Sequence, residues 1–343
     1  MNITIIKKLP IAEEIVQLAP LSENGHEQVA RDRQEIRDIL SGKDNRLIII
    51  VGPCSAWPKD AVLEYAVKLK ALSDKVKDKI KIIMRTYIQK PRTTHGWTGP
   101  VNQPDPFSPP DIAEGIKYCR SLMVKIIEMG LPIADEALFT HNAKGFIELL
   151  SWVAIGARSV EDQEHRIFAS AMPCPVGMKN TTTGSIEFAV NGIIAAQHQH
   201  HAVFGGYHVE TNGNPYAHLI LRGKISGPNY GAEYLHEARA LFIKHKIQNP
   251  AVLIDASHDN CKINGVKDCT MQPMVIKEVL ATMNVNPQLK ALVKGFMIES
   301  FIKEGNQKLE ALTAETVDRS GLSITDPCLS FEDAKKLILE IAK

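Results

Sequence analysis

RLIIIVGPCS (46–55) decides the fold: five consecutive aliphatic residues, Leu47 to Val51, run into a glycine, a proline and a small polar cluster. A short apolar run of this kind is what a strand covered on both faces requires, since neither face meets water. The pattern recurs outward along the chain in IKIIMRTY (80–87), LPIADEAL (131–138), VAIGARSVE (153–161) and PVGMKN (175–180). It continues in HAVFGG (201–206), HLILRG (218–223), AVLIDASH (251–258) and GFMIES (295–300). Between most of these runs lie stretches with helical spacing, such as DAVLEYAVKLKALSDKV (60–76) and PPDIAEGIKYCRSLMVKIIEM (109–129). Strand–helix alternation of this sort predicts a parallel sheet with crossover helices.

Nine runs are one more than an eight-stranded barrel needs, and HAVFGG and HLILRG are joined by only a short polar link containing Gly, Asn and Pro. One of that pair is therefore expected in a local hairpin, and the fold class is an α/β (β/α)8 TIM barrel with a small β-hairpin insertion. Residues 1–45 precede the first strand, and HEQVARDRQEIRDILSG (26–42) within them reads as a charged amphipathic helix ending at Gly42. The expected organisation is an N-terminal helical extension over 1–45, regulatory or oligomer-forming, followed by a catalytic barrel over 46–343. No G-x-G-x-x-G follows the first strand, which argues against a dinucleotide-binding doubly wound sheet.

Composition narrows the function. The 343 residues carry 40 Lys+Arg against 39 Asp+Glu, a balance that supplies no general attraction for nucleic acid or an anionic membrane. No apolar run approaches the roughly 18 residues of a membrane span, and MNITIIKKLP lacks the apolar stretch of a signal peptide, so the expected location is cytoplasmic. The six cysteines form no C-x-x-C pair, which argues against a disulfide scaffold or a zinc knuckle.

In a barrel the C-terminal ends of the strands converge on one face. Here Cys54, Arg85, Glu136, Arg158, Lys179, Arg222, His258 and Glu299 each close or directly follow an apolar run. Singly, each has a plain reading as a solvated loop residue or a small buried side chain. Together they concentrate charge in one mouth. Arg85, Lys90, Arg92, Arg158, Lys179 and Arg222 form a cationic set suited to phosphate and carboxylate groups. Cys54, His258, Glu299 and Asp326 form a mixed sulfur, nitrogen and oxygen set suited to a divalent transition ion, brought together only if the barrel closes. The tract HQHH (198–201) enters a strand and reads as structural. Cys261 and Cys269 show no local base and read as inert, and ETNGNPYAH (210–218) reads as a turn or bulge rather than a phosphate loop.

At these residues the sequence resembles the class I 3-deoxy-7-phosphoheptulonate (DAHP) synthases, the feedback-regulated bacterial and fungal type. The matching strings are GPCS (52–55), MRTYIQKPRTTHGW (84–97), SWVAIGARSVEDQEHR (151–166), CPVGMKN (174–180), LILRG (219–223), DASH (255–258), IESFIKEGNQ (298–307) and SITDPC (323–328). The resemblance implies a transferase that condenses phosphoenolpyruvate with erythrose 4-phosphate and releases phosphate, at the entry to the shikimate pathway of aromatic amino-acid synthesis. KPRTT is the most specific string, because related synthases that use a pentose phosphate carry a different loop there. By the family pattern Cys54, His258, Glu299 and Asp326 would hold Mn2+, Fe2+, Co2+ or Zn2+. Arg158, Lys179 and Arg222 would hold the phosphate of phosphoenolpyruvate, with Arg85 and Lys90 around its carboxylate and the reacting aldehyde. Lys90 would serve as proton donor, Arg92 and Thr93 would bind the acceptor phosphate, and Glu136 would stand beside the attacking water.

The resemblance further implies a homodimer or homotetramer and an aromatic amino-acid effector, although FTHNAKG (139–145) and SAMPCP (170–175) depart from the family pattern. Two other readings stay open: a phosphoenolpyruvate-dependent synthase with a different aldose phosphate, and a non-catalytic amino-acid-sensing barrel.

Overall fold

The apolar runs become strands because their side chains are covered on both sides, by the barrel interior and by the crossover helices. The computed structural model describes residues 2–92, 95–137 and 145–343. The chain opens with α1 (Ala12–Leu18) and α2 (Glu23–Ser41). In α2 the Ser22 hydroxyl accepts the Gly25 N–H, and Gly42, at φ +79°, closes the helix with the left-handed residue such an end favours.

Then follow β1 (Leu47–Gly52), α3 (Lys59–Val76), β2 (Ile80–Arg85), α4 (Ile112–Glu128), β3 (Ile133–Glu136) and β4 (Trp152–Ile155). After these come α5 (Gln163–Ala171), β5 (Val176–Lys179), α6 (Ile186–Gln197), β6 (His201–Phe204), β7 (Tyr207–Glu210) and β8 (Ala217–Leu221). The last third holds α7 (Ala232–His245), β9 (Val252–Asp255), β10 (Lys262–Ile263), β11 (Val266–Lys267), α8 (Gln272–Val285), α9 (Pro287–Leu292), β12 (Val293–Glu299) and α10 (Phe331–Ile341).

The strands β1, β2, β3, β4, β5, β8, β9 and β12 close in that order into a parallel barrel, β12 pairing back onto β1 with Gly52 opposite Glu299. This is the expected eight-stranded architecture, with one local difference. Among the described residues the β3–β4 crossover carries only a single turn, Ile147–Leu149, instead of an α-helix.

Of the two rival runs, HLILRG supplies the barrel strand β8, and HAVFGG supplies β6 of the hairpin. The partner of β6 is β7, drawn from the link between the two runs: Gly205 and Gly206, at φ +57° and +81°, form the two-residue turn that reverses the chain there. A second small hairpin, β10–β11, turns at Asn264 and Gly265.

Ile48 and Ile50 (β1), Ile83 (β2), Ala134 (β3), Trp152 and Ala154 (β4), Ile220 (β8), Leu253 (β9) and Met297 (β12) form the barrel's interior cluster, and Ile36, Ile39 and Leu40 of α2 join it. The extension's helix thus seals the barrel floor, which leaves the other end for chemistry.

Candidate active site

At the C-terminal face the strand ends deliver Arg85, Glu136, Lys179, Asp255 and Glu299, and the loops just beyond add Cys54, Lys90, Arg158, Arg222 and His258. A cavity of about 160 Å³ is lined by Lys90, Arg92, Glu136, Arg158, Lys179, Arg222, His258, Lys267 and Asp326, among others. The cationic set and part of the donor set therefore share one mouth. Arg85 does not line this cavity. It is completely buried and donates to Glu299 Oε1 at 2.9 Å, with its guanidinium 3.9 Å over the Tyr87 ring. Thr93 lies outside the described residues, as do residues 139–144 of FTHNAKG.

Two charged clusters organise the site. In the first, Lys179 Nζ donates to Glu136 Oε2 at 3.0 Å, both side chains being almost fully buried. Burial would raise the Glu136 carboxyl, but Lys179, Lys90 and Arg85 together hold it below its ordinary value, so it stays a carboxylate. Gly156 makes room for that group: a Cβ there would lie 2.3 Å from Glu136 Oε1. Asp135 braces the strand end by accepting the Ile88 and Glu136 N–H groups, and burial pushes its own carboxyl up to about 8.

In the second cluster one ligand atom each from Cys54, Glu299 and Asp326 lie within 4.8 Å of one another, the only such three-ligand group among the described residues. His258 Nε2 stands 3.8 Å from Glu299 Oε1, while its Nδ1 lies 2.8 Å from Asp255 Oδ2 and 2.9 Å from the Ser257 hydroxyl. A carboxylate behind an imidazole is the arrangement that fixes the tautomer and ring orientation of a metal-ligating histidine. His258 is also held at φ +55°, a conformation rare for residues other than glycine and found at sites where geometry outweighs backbone comfort.

Glu299 Oε2 is buried without a hydrogen-bond partner, as is Asp255 Oδ2 behind His258, so the site holds acceptors that a bound cation would satisfy. The donor chemistry, one soft sulfur, one imidazole and two carboxylates, fits a divalent transition ion. Two lysines flank this donor set: Lys90 donates to Cys54 Sγ at 3.0 Å, and Lys267 pairs with Asp326. Burial raises the Cys54 thiol, with the Glu299 charge adding to the effect. Bound M2+ would reverse that by stabilising the thiolate.

Several members of this site had no clear signal in the sequence. Lys267 comes from the β10–β11 hairpin, whose Asn-Gly turn in KINGVK was the one available hint. Asp259 pairs with Arg222, and Gln272 brackets Glu299 by donating to its backbone O at 3.0 Å and accepting its N–H at 2.9 Å. Neither Asp259 nor Gln272 ends an apolar run.

Known proteins resemble this chain over nearly its whole length. The family model described as "DAHP synthetase I family" matches residues 20–338. The chain is 38% identical, over all of its length and 95% of the relative's, to "Phospho-2-dehydro-3-deoxyheptonate aldolase, Tyr-sensitive" of Salmonella typhimurium. It is 36% identical to the Trp-sensitive enzyme of that name from Escherichia coli K12, covering 98% of this chain and 95% of the relative. A solved structure of phospho-2-dehydro-3-deoxyheptonate aldolase from Francisella tularensis superposes with a TM-score of 0.92 at 37% identity, covering 99% of this chain and 98% of that one. With a family model matched over residues 20–338 and relatives matched over nearly their whole length, the chain belongs to the DAHP synthetase I family.

Proposed function

We propose that this barrel condenses phosphoenolpyruvate with erythrose 4-phosphate to give 3-deoxy-7-phosphoheptulonate and inorganic phosphate, the first step of the shikimate pathway. The observation that carries the reading is the meeting, in one mouth, of the Cys54, His258, Glu299 and Asp326 donor set with Lys90, Arg92, Arg158, Lys179 and Arg222. Those four residues would hold a divalent ion, which when bound would supply Lewis-acid polarisation of the acceptor aldehyde.

The chain's own residues do the rest. Arg158, Lys179 and Arg222 hold the phosphate of phosphoenolpyruvate, and Lys90 faces its carboxylate and the reacting aldehyde, with Arg85 behind. Two anionic substrates repel each other, so cations on both sides are needed to reach a near-attack geometry. Arg92, with Thr93, takes the acceptor phosphate. Glu136, kept ionised by Lys179, accepts a proton from the water that attacks the enol phosphate. The Cys54 sulfur and the Glu299 and Asp326 carboxylates outweigh the effect of burial and keep the Lys90 ammonium protonated, ready to donate to the aldehyde oxygen as it becomes an alkoxide.

Phosphate release from phosphoenolpyruvate, measured on chelator-treated protein with and without erythrose 4-phosphate and before and after Mn2+, tests the reading. Release that needs both the aldehyde and the metal is expected. Release with a five-carbon phosphate in preference, or none with any metal, would overturn it.

The relatives' names, Tyr-sensitive and Trp-sensitive, support control of this chain by an aromatic amino acid. A cavity of about 550 Å³ between α5 and the β6–β7 hairpin, lined by Phe168, Phe204 and Val209 among others, is of a size and character to take one. The proposed organisation remains an extension over 1–45 and a catalytic barrel over 46–343, assembled as a homodimer or homotetramer in the cytoplasm. No helix among the described residues is long and apolar enough to cross a membrane.

A further inference from the structure

The β6–β7 hairpin has two faces, set by strand alternation. Ala202, Phe204 and Val209 turn inward over α5, where the Phe204 and Phe168 rings lie 6.4 Å apart. The opposite face carries the cross-strand pairs His201 with Glu210 and Val203 with His208. His201, His208 and Glu210 are all exposed.

On this outer face His208 Nε2 and His201 Nδ1 stand 3.3 Å apart, with the ring centroids 5.4 Å apart and the planes tilted by 50°. The other two histidines of HQHH are engaged elsewhere: the His198 and His200 rings each lie 2.7 Å from a carbonyl near the end of α6, those of Ile194 and Ala195. Of these four, His201 and His208 converge. Two metal–nitrogen bonds of about 2.0–2.1 Å at a tetrahedral angle hold their nitrogens about 3.3 Å apart, which is the separation found here.

We propose that His201 and His208 form a second divalent transition-metal site, with Glu210 swinging in as third ligand and water completing the shell. The ligand class is Zn2+, Ni2+, Co2+ or Cu2+, because two imidazoles and one carboxylate suit these ions better than Mg2+ or Ca2+. The tight Gly205-Gly206 turn pre-organises the pair by fixing the hairpin register. On binding, the hydrogen now shared between the facing nitrogens moves to the outer nitrogen of its own ring, so both imidazoles coordinate as neutral donors. The inward face is left untouched, and none of these three residues belongs to the barrel mouth.

Calorimetric titration of the chelator-stripped full-length protein with Zn2+ alone tests this, alongside His201→Ala, His208→Ala, His198→Ala and Cys54→Ala variants. The wild type and His198→Ala are expected to take two equivalents per chain. His201→Ala and His208→Ala should each take one, and Cys54→Ala should keep one, lost when His208→Ala is added. Glu210→Gln should keep the site but weaken it severalfold. Two equivalents persisting in both His201→Ala and His208→Ala, or a single wild-type equivalent that disappears in Cys54→Ala, would overturn the proposal. Co2+ loaded into Cys54→Ala gives an independent readout: its visible absorption bands should appear, and should vanish with the His208→Ala addition.

Discussion

At the scale of single residues, the site depends on side chains whose neighbours define their chemistry. Cys54 is fully buried and offers its sulfur to the same small volume as Glu299 and Asp326. Cys54→Ala is expected to abolish metal-dependent turnover while leaving the thermal unfolding curve essentially unchanged, and an unchanged metal content at the barrel mouth would remove the ligand assignment. Gly156→Ala places a methyl 2.3 Å from Glu136 Oε1, so the carboxylate must move off Lys179. A displacement of that kind should lower kcat by about 100-fold. A kcat within twofold of wild type would show that Glu136 has slack the geometry does not suggest. Arg92, whose Nε donates to the Trp97 carbonyl at 2.8 Å, lines the cavity. Losing one charged hydrogen-bonding group from an acceptor-phosphate site costs about 1.5–3 kcal/mol, so Arg92→Ala should raise the KM for erythrose 4-phosphate by roughly 10- to 100-fold with less effect on kcat. Steady-state kinetics with each substrate varied in turn separates this from a general loss.

At the scale of elements, the N-terminal extension is part of the barrel's construction. Arg33 of α2 donates to the carbonyls of Leu150 and Ile147, both at 2.8 Å, and Arg120 of α4 donates to those of Ala19 and Gly145. These bonds tie the extension to the segment between Glu136 and β4, where no crossover helix is found among the described residues. Ile39, fully buried, sits among the side chains of the barrel floor. Ile39→Ala should destabilise the fold by about 2–5 kcal/mol, seen as a lowered urea midpoint with the m-value unchanged. A loss below about 1 kcal/mol would mean that the floor collapses readily around the gap. The helix itself was legible in the sequence over 26–42 from its charged amphipathic pattern and its Gly42 end, while its start at Glu23, capped by Ser22, came from the structure. Its docking was not, because an amphipathic face states that something covers it without stating what.

At the scale of the whole molecule, global stability should carry the signature of one interior histidine. His218 is 1% exposed on β8; its Nε2 accepts the Trp152 indole N–H at 3.2 Å and its Nδ1 lies 2.9 Å from the Tyr216 carbonyl, so the neutral ring satisfies both contacts. Burial lowers its pKa to about 4, against an ordinary 6.5 in the unfolded chain. Between those values the unfolded state binds a proton that the folded state refuses, so stability is full above about 6.5 and falls by about 1.4 kcal/mol per pH unit as pH drops toward 4. Denaturant melts of wild type and His218→Gln across this window should diverge accordingly, the variant showing the shallower slope. Parallel slopes would show that His218 is protonated in the fold.

Taken by itself, the order of apolar runs determined the barrel, because a parallel strand covered on both faces leaves a continuous hydrophobic record that few other elements share. The residue types closing those runs likewise pointed to an anionic substrate and offered candidate ligands for a divalent ion, which the sequence joins only if the barrel closes. Only the tertiary structure decided which run lay in the hairpin, that Arg85 backs Glu299 instead of lining the cavity, and that Lys267, Asp259 and Gln272 belong to the site. It alone paired His201 with His208. Such pairings depend on distances between side chains far apart in sequence, or on which face of a strand looks outward, and a linear pattern records neither until the barrel closes.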